Sequence, residues 1–195
     1  MPRSRRRSGL RRPAHSYSAA GVYTITVTVT DDDGGSDSDS LMVVVYDPSA
    51  GFVTGGGWTN SPAGAYVPDP LLTGKATFGF VSKYQKGAKI PDGNTEFQFH
   101  AAGLNFKSDS YEWLVVSGPK AQFKGKGSLN GTSGYGFLLT ATDGQVNGGG
   151  GTDKFRIKIW DSSNTIVYDN MLGAADDLDN AQALASGSIV IHAKK

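Results

Sequence analysis

The sequence contains no cysteine, which excludes a disulfide framework, a thiolate zinc site and a catalytic thiol. No apolar run approaches the roughly 18 residues that cross a membrane, so we expect no membrane span. Charged residues make up 19% of the chain, and only three His and two Glu are available for acid–base chemistry. A chain of 195 residues can bury a core without disulfides, so the missing cysteine does not exclude secretion.

The N-terminus is strongly basic, with six arginines and no acid among residues 1–12. No aromatic side chain is interleaved with these arginines and no basic face continues beyond them, so we expect no nucleic-acid partner. In a signal peptide an apolar stretch of about 7–15 residues would follow the charges, but Pro13 and His15 stand there instead. We interpret residues 1–14 as a disordered basic tail.

The next segment predicts an antiparallel hairpin. Residues 24–30 alternate between threonine and an aliphatic residue, the period-two pattern of a strand with one buried face. A second strand is predicted at residues 41–46, and turn-forming residues fill the interval. A free edge of this hairpin would let copies of the chain self-associate. Asp31 and Asp33 in the turn are candidate ligands for structural Ca²⁺, and a solvated acidic turn is the alternative.

Strand-like segments with Gly-rich turns recur throughout residues 50–195, with one helical turn at residues 178–184. This pattern predicts an all-β main domain, either a β-sandwich or jelly-roll-like, preceded by the hairpin at residues 15–47. The predicted strands are residues 76–84, 95–100, 111–117, 121–129, 134–142, 154–160, 166–169 and 187–193.

The patterns also predict side-chain directions for two hairpins of the main domain. If Phe97 and Phe99 face the core, the register is fixed by pairing their face with the aromatic face of the next strand. That register places Phe99 opposite Trp113 and His100 opposite Glu112. In residues 154–160 the odd-numbered apolar residues form a buried face, and the basic residues, Arg156 among them, are expected in solvent.

His100 and Glu112 are the best pair for acid–base catalysis, with Glu96 on the same strand face as His100. A small hydrolase would use these groups, and a two-carboxylate glycosidase site would need Glu96 and Glu112 about 5–10 Å apart. An ordinary cross-strand ion pair on a solvated face is the alternative. No motif of a serine-hydrolase elbow is present to favour catalysis.

Two further segments offer metal ligands. Residues 148–156 match the nonapeptide of calcium-binding β-rolls, which makes Asp153 a candidate ligand. A single copy does not complete such a site, and a flexible loop is the alternative. A later acidic loop offers Asp176, Asp177 and Asp179 as ligands for structural Ca²⁺. We expect no other cofactor.

Five aromatic residues lie in or beside Gly/Pro-rich loops or at strand ends, where flat rings stack on sugars or on collagen prolines. A place in the hydrophobic core is the alternative for each of them. These candidate ligand-binding residues are Trp58, Tyr66, Tyr84, Tyr135 and Trp160.

Several short motifs precede and follow the alternating strand at residues 24–30. His15 and Tyr17 are followed by Gly21 and Tyr23, and the sequence Thr-Asp-Asp-Asp-Gly closes the strand at residues 30–34. In these features residues 15–46 resemble the end of a PKD domain, an immunoglobulin-like β-sandwich repeated in secreted bacterial proteins. Such a sandwich needs about seven strands and this segment supplies two. The resemblance therefore implies a truncated, immunoglobulin-like hairpin fragment, with a displaced start or a cut gene as the origin of residues 1–12.

Six stretches of the main domain match another family in order. They are GFVTGGGW at 51–58, LTGK at 72–75, FGFVSKY at 78–84, TEFQF at 95–99, YEWL at 111–114 and DKFRIKIW at 153–160. Residues 51–195 resemble the post-COAP-type domain that follows PKD repeats in secreted bacterial proteins. That resemblance implies no assigned catalytic residues.

The two resemblances imply a non-catalytic accessory or adhesion module of a secreted bacterial protein, located outside the cell or at its surface. Its partner would be a polysaccharide or an extracellular matrix protein. A small secreted hydrolase with a site near His100 and Glu112, and a purely structural spacer, are the alternatives.

Overall fold

The computed structural model describes residues 14–193, so almost all of the predicted basic tail lies outside the described residues. Strands β1 (Gly21–Thr30) and β2 (Ser36–Val45) pair antiparallel and form a two-stranded sheet of their own. Asp31 holds the turn, because its Oδ1 accepts the backbone N–H groups of Asp33 and Gly35 at 3.1 and 2.7 Å. The predicted hairpin forms, but the buried face expected for its first strand does not, because Val27 and Val29 are 58% and 66% exposed.

The rest of the described chain forms a ten-stranded sheet in which every pairing is antiparallel. Its strands are β3 (Gly51–Ser61), β4 (Gly74–Lys83), β5 (Asp92–Phe99), β6 (Leu104–Ser117), β7 (Lys120–Leu129), β8 (Thr132–Thr142), β9 (Lys154–Trp160), β10 (Ile166–Asp169), β11 (Gln182–Ala183) and β12 (Ser186–Ala193). Strands β3 to β10 follow one another as a meander, β12 returns to pair with β3, and β11 pairs with β9. A short 3₁₀ turn, His100–Ala102, joins β5 to β6.

The sheet curls so that its two halves face each other. Phe78 of β4 stacks on Phe155 of β9 with ring centroids 3.9 Å apart, although four strands separate β4 from β9 in the sheet. Phe97 of β5 likewise contacts Tyr168 of β10 at 4.7 Å. These contacts form the core of a two-layered all-β domain, as expected from the alternating strands. No Greek-key crossover of the jelly-roll kind occurs between the strands of residues 14–193, and no helix there is long and apolar enough to cross a membrane.

Two buried carboxylates hydrogen-bond to the outer edge of this curled sheet. Asp153 accepts the N–H of Gly144 through Oδ1 and that of Ile189 through Oδ2, both at 2.7 Å. Asp143 accepts the N–H of Ile191 at 2.9 Å. Ile189 and Ile191 lie on β12, whose outer edge would otherwise leave these donors without a strand partner. Two side chains of the β8–β9 loop therefore accept the hydrogen bonds that a further strand would otherwise accept.

The sequence missed β3 because three successive glycines, residues 55–57, weaken its strand pattern. The structure explains two of them. A Cβ at Gly55 would come within 2.6 Å of the Phe80 ring, and one at Gly57 within 2.3 Å of the Ser186 carbonyl oxygen. Close packing against β4 and β12 therefore requires glycine at both positions.

β5 and β6 pair as predicted, but the predicted register is wrong. Phe97 lies opposite Phe106 and Phe99 opposite Leu104, because β6 begins directly after the 3₁₀ turn and runs longer than predicted. Two irregularities in β6 then shift the alternation of its side chains. As a result Leu114 is buried in the core, whereas Trp113, predicted to face inward, is half-buried opposite Lys124.

Two other predictions in the second half of the domain are corrected. Arg156 was expected in solvent, but residues 171–181 cover that face of the sheet and leave the side chain 1% exposed. No helical turn forms at residues 178–184, where the chain makes turns and the short strand β11. The buried apolar face of β9 is confirmed, with Phe155, Ile157 and Ile159 all inaccessible.

Candidate ligand-binding site

The residues suggested for catalysis do not come together. His100 lies in the 3₁₀ turn with its Nε2 3.4 Å from Thr77 Oγ1. Glu112 forms an ion pair with Lys124 at 3.0 Å, and Glu96 forms one with Lys107 at 3.4 Å. The physical reason is the pairing of β5 with β6, which places Glu96 opposite Lys107 rather than bringing His100 to Glu112.

The six aspartates suggested as metal ligands are likewise dispersed. Among residues 14–193, no three His, Asp or Glu side chains are arranged so that they could hold a metal ion together. Asp31 and Asp33 lie in the hairpin turn, and Asp153 uses both carboxylate oxygens for backbone N–H groups. In the late loop, Asp176 bonds to Lys158 at 2.7 Å, Asp177 accepts N–H donors of Asp179 and Asn180, and Asp179 contacts Lys120.

The buried Arg156 holds that late loop against the sheet. Its Nε and Nη2 donate to the two carboxylate oxygens of Asp169 at 2.9 and 2.8 Å, and Nη1 donates to the carbonyl of Ala175 at 2.7 Å. Burial opposes the charge, yet the hydrogen bonds and charge of Asp169 outweigh it and raise the pKa of the Arg156 guanidinium. Nη2 also contacts Asp176 at 3.1 Å, which fixes that carboxylate beside Lys158.

Trp160, the last residue of β9, lies on the outer face of the sheet. Its indole covers the backbone of Gly136 on β8 so closely that a Cβ there would be 2.3 Å from the ring atoms Cε2 and Nε1. Only glycine at position 136 leaves room for this ring position. The Nζ of Lys124 on β7 lies 6.0 Å from the ring centroid.

Open clefts of about 310 and 380 Å³ flank this indole, and both are lined by Trp160, Lys124 and Asn164. One cleft continues over Met42, Leu138, Lys158, Ile166 and Asp176. The other continues over Glu112, Gly125, Lys126, Gly134, Tyr135, Gly136, Asp161 and Ser162. We call the surface formed by both clefts the Trp160 groove.

A rigid turn forms one wall of the Trp160 groove. Asp161 Oδ1 accepts the N–H groups of Ser163 and Thr165 at 2.8 and 2.9 Å, and Asn164 adopts a left-handed conformation with φ of 63°. These contacts form a turn at residues 161–164 that positions Asn164 beside the indole.

The five candidate aromatic residues divide into three groups. Tyr135 and Trp160 line the same groove. Tyr66 and Tyr84 support the fold, because Tyr66 packs edge-on against Phe99 in the core, whereas the Tyr84 hydroxyl donates to the Leu114 carbonyl at 3.1 Å. Burial raises the pKa of Tyr84.

Trp58 stands apart from the other four aromatic residues. It lies half-buried on β3, with the Nζ of Lys75 5.0 Å from its ring. The sequence analysis missed two polar residues of the Trp160 groove, Lys124 and Asn164, and assigned other roles to Glu112 and Asp176. The one signal for Asn164 is the turn at residues 161–164, which joins β9 to β10 beside the indole.

Comparison with known proteins bears on the N-terminal segment. A family model for the PKD domain matches residues 6–45. Both strands of the hairpin fall inside this match, which ends with the last residue of β2 and before β3 begins. No curated protein and no solved structure matches the chain. Residues 6–45 are therefore similar to a PKD domain, a family whose members are commonly extracellular adhesion or accessory modules.

Proposed function

We propose that the chain is a non-catalytic accessory or adhesion module of a secreted bacterial protein and that its main domain, of the post-COAP type, binds polysaccharide in the Trp160 groove. The observation that carries this proposal is the joint placement of Trp160 and Tyr135 among hydrogen-bonding side chains. A sugar ring presents an apolar C–H face and a rim of hydroxyls. An indole flanked by Glu112, Lys124 and Asn164 complements both features.

The groove is also held rigidly, which favours binding because little freedom is lost when a ligand docks. The indole rests on the backbone at Gly136, and the ion pair of Glu112 with Lys124 bridges β6 and β7. The dispersal of His100, Glu96 and Glu112 to separate partners supports a binding role rather than hydrolysis.

A glycan and collagen array with the full chain tests this proposal. We expect binding to at least one polysaccharide, and we expect Trp160→Ala to weaken it at least roughly thirtyfold, as for a central tryptophan of an interface. Trp58→Ala is the matched control, since that ring lies on another part of the sheet, and it should leave binding unchanged. Binding to collagen alone, or equal losses from both variants, would contradict the proposal.

A further inference from the structure

A second cleft lies where the linker from the hairpin meets the main sheet. Its volume is about 760 Å³, within the roughly 300–1,000 Å³ typical of ligand sites. Its walls are Pro48 and Ser49 of the linker, the start of β3, the end of β4 with the loop that follows it, and the end of β12. We call it the lysine cleft after three of its residues, Lys83, Lys86 and Lys89.

The lysine cleft has a strong excess of positive charge. No carboxylate lines it, and within residues 14–193 none of its three lysines has a carboxylate oxygen within ion-pair distance. Two acids lie close to the cleft in sequence, and each accepts a backbone N–H group. Asp92, opposite Lys83 in the sheet, accepts the N–H of Gly93 at 2.8 Å, and Asp47 accepts that of Ser49 at 2.8 Å. The lining of the lysine cleft therefore carries three positively charged side chains and no carboxylate, which favours an anion.

Flat rings stand beside these charges. Phe52 stacks on His192 with centroids 4.1 Å apart and planes 10° from parallel, and both rings line the cleft. Thr54 Oγ1 lies 3.4 Å from His192 Nε2 and restrains the imidazole. Phe52 is also the direct cross-strand neighbour of Lys83, so their side chains leave the sheet on the same face.

We propose that the lysine cleft binds an acidic sugar unit, with the ring face on Phe52 and the anionic group at the lysines. Carboxylated and sulfated sugars share this chemistry, and the test separates them. The choice of a sugar as the anion rests on the proposed function, whereas the site and its charge are independent of the Trp160 groove.

The test is an NMR titration of the ¹⁵N-labelled full chain with a uronate-containing disaccharide, a sulfated disaccharide and a neutral disaccharide of the same size. We expect the amide signals of Phe52, Gly87 and His192 to shift with one or both acidic sugars and not with the neutral one. Which acidic sugar shifts them identifies the source of the anion. Because the shifts are local, binding to the arginines of residues 1–12 does not contribute to this readout.

Lys86→Gln with Lys89→Gln should weaken acidic-sugar binding about tenfold, because two of the three charges are removed. The matched control, Lys75→Gln with Lys107→Gln, removes the same charge outside the cleft and should change binding less than twofold. No cleft shifts with either acidic sugar, equal losses from both double variants, or equal affinity for a phosphorylated dinucleotide would overturn the inference. Trp160→Ala should leave these cleft shifts intact, so a failure of the Trp160 groove is distinguishable from a failure of the lysine cleft.

Discussion

The buried ion pair between Arg156 and Asp169 gives the sharpest stability prediction. Both side chains are 1% exposed, and two hydrogen bonds of 2.9 and 2.8 Å join them. Removing one partner of such a pair leaves the other charge buried without compensation, which costs about 3–5 kcal/mol. That loss is a large share of the roughly 5–15 kcal/mol by which domains are stable. Arg156→Met should therefore lower the free energy of unfolding by about 3–5 kcal/mol.

Urea unfolding followed by circular dichroism measures this effect, and we expect the midpoint to fall by about 1–2 M. Lys158→Met is the control, because its ion pair with Asp176 is partly exposed and contributes at most about 1 kcal/mol. Adding Asp169→Leu to Arg156→Met should recover much of the loss, since no charge is then left buried. A cost below about 1 kcal/mol for Arg156→Met would refute the view that this pair anchors residues 171–181.

Three further predictions follow from other parts of the fold. Burial raises the pKa of Tyr168 above its unfolded value of about 10, so the stability tied to its neutral phenol is complete below pH ~10 and is lost above it. Urea midpoints measured up to pH ~11 should show this fall, and Tyr168→Phe should reduce it. Gly136→Ala should displace the indole and abolish polysaccharide binding without unfolding the chain, whereas Gly79→Ala, where a Cβ meets nothing within 4 Å, should leave binding intact. Deleting residues 1–46 should leave a folded monomer by circular dichroism and light scattering, whereas the full chain should associate through the edges of its hairpin.

The strands that the sequence predicted best are those with uninterrupted alternation. Residues 154–160 were predicted with the bounds that β9 has, because apolar and polar residues alternate there without glycine. The bounds of β10 were also predicted, from a short apolar run that follows a turn. β3 was missed because the close approach of its neighbours requires glycine, and glycine removes the pattern. The register of β5 with β6 was wrong because β6 begins directly after the 3₁₀ turn, earlier than its alternation indicates. The inward position predicted for Trp113 failed because irregularities inside β6 reverse the faces of its side chains, and such irregularities leave no period-two signal.

The candidate site likewise combines residues that the sequence identified with contacts that it did not predict. Trp160 and Tyr135 were identifiable as aromatic residues near turns, but their meeting depends on the pairing of β8 with β9 across Gly136. Arg156 was misplaced because alternation alone puts it on the outer face, and the loop that covers this face has no periodic pattern. Burial by an irregular loop is a tertiary property that strand periodicity does not record.

The most direct test of the central claim is the fluorescence of Trp160 during polysaccharide titration. In a variant with Trp58→Phe and Trp113→Phe, Trp160 is the one remaining tryptophan of the chain. With a polysaccharide that the array identifies, its emission should change saturably and shift to shorter wavelength, because a stacked sugar removes water from the indole. The matched variant that retains Trp58 alone should show no saturable change. A saturable change at Trp58, with none at Trp160, would contradict the account.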